Sequence, residues 1–297
     1  MPLVPMGPLL QAAQAGGYGL AGFNVDNLAM LAAVVRAAEE ESAPLIVQGG
    51  PVGLDHAGWE ETAALVRLAA RRSHGPIALH LDHGATLAHV TKALELGFTS
   101  VMFDGSALPY REKVSLTRRV VRAAHEVGAT VEAELGAIPG SEEGVTVSDE
   151  AASLTDPRAA AAFVDETGVD CLAIAIGNVH WTSNRPTVLD LERLRAIREA
   201  VAIPLVLHGG SGVADAVLRA AVAGGITKLN IANAINRAFI DALRGALDSA
   251  EVDLGDGRIR VRPHNVLSPA VAAACQAARE RLRVLGASNR APQGDKS

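Results

Sequence analysis

The chain is poor in aromatic residues, cysteine and lysine, and each shortage narrows what it can be. Phe, Tyr and Trp make up 3% of 297 residues, so Ala, Val and Leu must fill the core within an apolar fraction of 49%. The two cysteines, Cys171 and Cys275, stand far apart in apolar contexts, which excludes a disulfide framework and reads as buried free thiols. There is no basic block and the net charge is −6, which argues against a nucleic-acid surface. A charged-then-apolar leader is absent, as is any run of about 18 apolar residues, so the expectation is a soluble, cytoplasmic protein with no membrane partner. Lysine occurs only at positions 92, 113, 228 and 296. Only Lys228 falls on an expected strand, so Schiff-base chemistry would depend on that one residue.

What the chain does have is a regular alternation of short apolar runs and helical patterns. Strands are expected at 19–25, 44–49, 77–84, 99–105, 130–136, 171–178, 204–210 and 226–232. Helical patterns rich in Ala, Leu and Arg lie between them, such as 28–41 and 157–166, the latter with Asp156 as N-cap and Pro157 in its first turn. Gly97, Gly128, Gly168 and Gly224 follow helices where a left-handed cap is needed. Eight strands alternating with helices predict an α/β fold, a single (β/α)8 TIM barrel over residues 1–287, with a doubly wound sheet as the competing architecture. A last helix over 269–285 is extra to the barrel and suits an oligomer contact. Residues 288–297 are expected to form a disordered tail by composition. One connection, from Gly136 to about Thr155, has no periodicity. Loops of that length in compact domains are often lids or binding loops, and its tip carries Glu142 and Glu143; the plain alternative is an exposed acidic turn.

The chemistry gathers at strand ends. IALHLDHGA (77–85), CLAIAIGNVH (171–180) and PLVLHGGSG (204–212) each deliver a histidine where an apolar run stops: His83, His180 and His208. A lone His there is more often a polar rim residue, but three at matching positions are the protein half of a catalytic metal site with an open fourth position. His56, His74, His89 and His125 read as surface residues, and His80, inside its strand, as a satisfied core histidine. Asp82 beside a ligand is placed for proton transfer, or for holding a ligand or capping a helix. Asp104 and Glu134 close the next two strands, as alternate metal ligands or as a rim salt bridge; Glu132 shares Glu134's face, deeper in. GGSG (209–212) and NIAN (230–233) follow strands seven and eight, where barrels often bind phosphate through backbone N–H groups, although a glycine turn has a purely geometric use as well.

Taken in order, HLDHG, FDGS, VEAELG, AIGNVH, LVLHGGSG and ITKLNIA resemble the class II, zinc-dependent fructose- and tagatose-bisphosphate aldolases, over about Phe23 to Leu285. The resemblance implies that His83, His180 and His208 hold Zn2+ and that Asp82 gives the proton to the aldehyde oxygen. It makes Glu142 the base that deprotonates the donor, and Asp104 and Glu134 neighbours of the metal that can hold it in an alternate site. Asn24, Gly209, Gly210, Ser211, Asn230, Ile231, Ala232 and Asn233 match the substrate and phosphate side, with Trp181 beside the second ligand. It also implies a sugar-phosphate substrate, a homodimer or homotetramer, and a monovalent cation (Na+ or K+) near the phosphate.

The chain departs from that pattern at several places. Trp181 stands where the family has Gly, and Asn233-Ala234 where it has Thr and an acid. Gly50 stands near a common Ser, and Arg262-Pro263-His264 where many members carry Asp-Pro-Arg. His cannot reproduce the bidentate, permanently charged fork of Arg, so the far phosphate loses a holder unless Arg185 or Arg262 replaces it. Two rivals are a barrel metallohydrolase, for which Phe23-Asn24-Val25 and Asn230 are the wrong residues on strands one and eight, and a member that binds a sugar phosphate without turnover.

Overall fold

The eight expected apolar runs become the eight strands of a closed, all-parallel barrel in a computed structural model of the chain. The structure describes residues 3–180, 187–249 and 262–292, with the side chains of Val145 and Ser211 also outside the description. In chain order the strands are β1 Leu20–Asn24, β2 Leu45–Gly49, β3 Ile77–Gly84, β4 Ser100–Phe103, β5 Thr130–Leu135, β6 Gly140–Glu142, β7 Val145–Val147, β8 Cys171–Ile174, β9 Leu205–Leu207 and β10 Ile226–Ile231. The helices are α1 Met6–Gly16, α2 Leu28–Glu40, α3 Pro51–Ala57, α4 Trp59–Arg72, α5 Leu87–Glu95, α6 Tyr110–Glu126, α7 Pro157–Thr167, α8 Leu191–Ala200, α9 Asp215–Ala223, α10 Asn233–Asp248 and α11 Pro263–Val284. Barrel closure runs β1-β10-β9-β8-β5-β4-β3-β2, so β1 pairs with both β2 and β10 and no edge is left.

Each barrel strand presents two faces, and both are buried, which is why these strands look continuously apolar. Outward side chains such as Phe23, Val47, Leu79, Val131 and Leu207 join the helices in one large core. Inward side chains fill the lumen in layers. At the N-terminal end Leu20, Ile46, Ala78, Cys171, Ala173 and Val206 form a separate apolar cluster with Met6, Leu10 and Ala13 of α1. Helix α1 therefore plugs the bottom of the barrel, and it is tied there by Val4 N–H donating to Ile77 O at 3.0 Å and Gly7 N–H to Thr130 Oγ1 at 2.7 Å.

Three features differ from the expectation. The aperiodic loop after β5 is not structureless: β6 and β7 pair as an antiparallel hairpin carrying Glu142. The extra helix starts earlier, at Pro263, and packs its small-residue face (Ala270, Ala274, Ala278) against α2 and α10. The tail is held past residue 288: Ser288 Oγ donates to Glu41 Oε2 at 2.8 Å, and the Asn289 and Ala291 amides donate to Glu41 O and Ser42 O. Order thus continues at least to Ala291, because Glu41 at the end of α2 offers buried acceptors that composition alone does not reveal; residues 293–297 lie outside the described residues. Among the described residues no helix is long and apolar enough to cross a membrane, and Cys171 and Cys275 are buried free thiols.

Candidate active site

Neighbouring residues on a strand point to opposite faces, so Asp82 and His83 should not both reach the lumen. They do because β3 breaks its register with β4 between Leu81 and Gly84, and His83 takes a left-handed backbone at φ 48. A non-glycine residue there costs about 1–3 kcal/mol and is tolerated where its surroundings fix it. Asp82 is fixed by three amides: Oδ2 accepts from Asn24 Nδ2 at 3.1 Å and Gln48 Nε2 at 3.0 Å, and Oδ1 from Asn230 Nδ2 at 2.9 Å.

The three strand-end histidines converge. Ring centroids lie 4.7 Å apart for His83 and His208, 5.4 Å for His83 and His180, and 6.3 Å for His180 and His208. His83 Nδ1 is 2.7 Å from Asp104 Oδ2, and His208 Nε2 is 2.8 Å from Glu132 Oε1. An ionised carboxylate only accepts, so each of those ring nitrogens carries the hydrogen. The opposite nitrogens, His83 Nε2 and His208 Nδ1, then face each other at 2.9 Å with lone pairs in the neutral tautomers. Such a pair calls for a cation beside it, a proton or a metal. Carboxylate-oriented imidazoles that aim free lone pairs at one place are the usual support of metal-ligating histidines. The donor set therefore fits a metal ion. Burial opposes protonation of His83, but Asp82, Asp104 and Glu142 outweigh it and raise its pKa well above the ordinary value.

Among the described residues two overlapping groups can hold a metal, Asp82–His83–His208 and His83–Glu142–His180. They share His83, so the three expected ligands are present with a carboxylate on either side. The Glu142 carboxylate comes down from the lid to touch His180 Nδ1. Burial resists its ionisation, yet His180 and His83 hold its pKa at about 2. The His180 amide donates to Pro139 O at 2.8 Å, which ties the base of the lid to the ligand. Asp104 accepts from the Ser106 amide at 2.9 Å and from the Ser106 hydroxyl, and His83 keeps it well below the usual carboxyl range despite burial. Glu134 accepts from Ser106 Oγ at 3.1 Å through Oε1, while its buried Oε2 has no hydrogen-bond partner; burial and Asp104 raise its pKa. Ile138 and Val147 of the lid close over this group.

A buried ion pair lies one layer deeper. Glu132 is held by Lys228 Nζ at 2.8 Å as well as by His208, and these outweigh the desolvation that would raise its pKa, leaving it well below the usual range. Lys228 also donates to Asn230 Oδ1 at 2.7 Å. It supports the floor of the site and is not a free amine. His80 donates or accepts at Ser100 Oγ at 2.8 Å, and burial, then Lys228, lower its pKa to about 3, so it is neutral.

On the phosphate side, Gly209 has φ +67, and a Cβ there would lie 2.1 Å from Val179 O, so only glycine fits the turn that opens the short 3-10 segment Gly210–Gly212. Ile231 turns its side chain into the outer core, so only its backbone could meet a ligand. Ala232 and Asn233 stand where β10 passes into α10, beside Asn230. Trp181 and Arg185 lie outside the described residues, as does the Ser211 side chain. Arg262 and His264 are exposed at the start of α11.

The family model described as "Fructose-bisphosphate aldolase class-II" matches residues 4–290. The chain belongs to that family. It is an aldolase, a carbon–carbon lyase of a family that is generally metal-dependent. Solved structures agree with the aldolase fold. The YdjI aldolase from Escherichia coli K12 superposes with a TM-score of 0.84 at 31% identity, covering 98% of this chain and all of that one (100%). A putative fructose-1,6-biphosphate aldolase from Coccidioides immitis gives 0.83 at 30% identity, covering 95% and 96%. A fructose-bisphosphate aldolase from Campylobacter jejuni gives 0.82 at 24% identity, covering 97% of each chain, and at that identity it speaks to the fold alone.

Within this aldolase frame, sequence reasoning left three residues without their roles. Gln48 steadies Asp82, Glu132 orients His208, and Lys228 neutralises Glu132. Their common signal is a polar residue in mid-strand, on the inward face of a run otherwise buried and apolar.

Proposed function

We propose that this aldolase is zinc-dependent and cleaves a phosphorylated ketose reversibly to dihydroxyacetone phosphate and an aldehyde. The substrate is a ketose bisphosphate, such as fructose or tagatose 1,6-bisphosphate, or a related ketose 1-phosphate. The observation that carries the reading is the pair of facing nitrogens on His83 and His208, whose tautomers are set by Asp104 and Glu132. His83, His180 and His208 would hold the zinc, with Asp104 and Glu134 as an alternate holding. Zinc, when bound, supplies Lewis acidity to the carbonyl and hydroxyl oxygens of the donor.

The chain's own groups do the rest. Glu142 takes the proton from the donor carbon next to the carbonyl; freed from His180, its carboxylate regains the basicity that the contact suppresses. Asp82, fixed by Asn24, Gln48 and Asn230, handles the proton on the acceptor oxygen. Backbone N–H groups at Gly209 and Gly210, with Ser211, Asn230 and the 231–233 backbone, bind the donor phosphate, with Na+ or K+ as counter-ion. Ile138 and Val147 exclude water from the donor carbon as the lid closes. Trp181 follows the expected ligand His180 in sequence, and the resemblance pairs it with the acceptor. Its apolar bulk, with His264 in place of an Arg, favours an acceptor other than glyceraldehyde 3-phosphate. A homodimer or homotetramer in the cytoplasm completes the reading.

The test is a retro-aldol assay of the zinc-loaded protein over fructose 1,6-bisphosphate, tagatose 1,6-bisphosphate and a series of ketose 1-phosphates. Cleavage with release of dihydroxyacetone phosphate is expected, with kcat/KM for the best monophosphate at or above that for the bisphosphates. No cleavage of any member would sink the substrate reading. Bisphosphate cleavage at about 10⁴ M⁻¹s⁻¹ or better with far slower monophosphates would overturn the acceptor assignment.

A further inference from the structure

The lid hairpin carries a second carboxylate that the reaction as described does not use. Glu143 Oε2 accepts a hydrogen bond from the Val52 amide at 2.8 Å. That amide lies in the first turn of α3, whose N-cap, Gly50, has no side chain to satisfy it. A carboxylate from 91 residues away therefore caps this helix end, where negative charge is favoured. Gly50 makes the contact possible through space, not through backbone freedom. Its φ of −88 and ψ of 169 suit any residue. Yet a Cβ at Gly50 would lie 2.0 Å from Glu143 Cδ, 2.1 Å from Cγ and 2.4 Å from Oε2.

The hairpin turn splits its two acids between two anchors. Glu143 is left-handed at φ 49 and Gly144 follows at φ 82, so Glu142 reaches His180 while Glu143 reaches α3. At the other end of the hairpin, Gly140 lies over His180, where a Cβ would come within 2.7 Å of the His180 Cβ. Once Glu143 is seated, little freedom remains for the residue before it.

We propose that Glu143 is a positioning residue: seated in the cradle that Gly50 leaves open, it latches the lid onto α3 and thereby sets where Glu142 stands. This inference rests on the reading of Glu142 as the base. Holding a reacting group in place is worth large factors, and a misplacement of about 1 Å costs about a hundredfold in rate.

The experiment uses the full-length, zinc-loaded protein and the variants Gly50→Ala, Glu143→Ala, Glu143→Gln and the Gly50→Ala/Glu143→Ala double. Four quantities are read: amide hydrogen exchange over 50–54 and 140–147, exchange of the donor proton of dihydroxyacetone phosphate with solvent, donor affinity, and bound zinc. Gly50→Ala and Glu143→Ala should each speed amide exchange in both segments and slow donor-proton exchange by about 10- to 100-fold, with donor affinity and zinc within roughly threefold of wild type. Glu143→Gln, which keeps an acceptor for the Val52 amide, should recover most of the rate. The double variant should be no slower than the slower single, since both remove one contact. Wild-type amide exchange over 140–147 in both single variants, wild-type donor-proton exchange in both, or a double variant that multiplies the two losses would overturn the latch. If the wild-type protein exchanges no donor proton, the role of Glu142 fails, and the amide exchange alone then decides whether the latch exists.

Discussion

The two ends of this barrel are built from the same eight strands and obey opposite rules. At the N-terminal end the lumen is filled chiefly by apolar side chains, and Met6, Leu10 and Ala13 of α1 close it over Leu20, Ile46 and Val206, with Thr130 and Ser100 as polar exceptions bonded to Gly7 and His80. At the C-terminal end the same strands turn inward Asn24, Gln48, Asp82, Glu132, Glu134, His208, Lys228 and Asn230, all buried. Burying such groups destabilises a fold unless each is paired, so the upper half of the lumen is held for chemistry and the lower half for stability. A concavity of about 790 Å³ lies at the lower end beside α1, with His125 and Asp170 in its wall. The converging acids and imidazoles are at the other end, and chemistry follows them rather than size.

Substitutions at the two ends should therefore fail in different ways. The largest effect is expected for His83→Ala, His180→Ala or His208→Ala. Each should abolish turnover, by more than about 10³-fold, since the Lewis acid supplies several kcal/mol, while the barrel still melts cooperatively. Steady-state assay with circular dichroism checks this, and a His variant with wild-type turnover would break the contrast. Next comes Lys228→Met, which leaves Glu132 buried without its cation. A stability loss of about 3–5 kcal/mol is expected from urea midpoints, and no loss would mean that the ion pair is not what keeps Glu132 in place. At the lower end, Leu10→Ala should cost about 2–5 kcal/mol by the same measurement, yet leave kcat and zinc content of the folded protein unchanged.

The smallest effect belongs outside both ends. Glu41 is held at a pKa of about 2, because Arg283, Arg279 and Ser288 outweigh the burial that would raise it. A carboxyl lowered on folding contributes stability at pH above its ordinary 4.5, and that contribution disappears as pH falls toward about 2. Glu41→Gln should lower stability by about 1 kcal/mol at neutral pH and make the decline between those pH values shallower in thermal melts. An unchanged melting temperature together with an unchanged acid limb would contradict the clamp.

The barrel was legible because its strands are buried on both faces and most expected caps stand at the right spacing; Asp156 and Gly168 bound α7 as expected, whereas Gly224 after α9 stays right-handed at φ −80 and Gly225 takes the left-handed turn. The three histidines were legible because each ends an apolar run. The plug helix α1 was not, since Met6–Gly16 has no side-chain N-cap and carries Gly7 and Pro8 in its first turn, and only the open bottom of a barrel makes it necessary. Nor was the side-by-side use of Asp82 and His83, which depends on a broken register and a left-handed residue rather than on residue type. The roles of Gln48, Glu132 and Lys228 come from pairing across strands up to 96 residues apart, which no local pattern carries.

The central claim is that one metal, held by His83, His180 and His208, makes the upper end of the barrel an aldolase. The most direct measurement is metal analysis of the purified protein, coupled to retro-aldol activity before chelation, after exhaustive chelation and after zinc is restored. One zinc per chain is expected, with activity lost on chelation and recovered on its return. Full activity in the chelated protein, or a substrate adduct trapped on Lys228 by borohydride, would contradict the account.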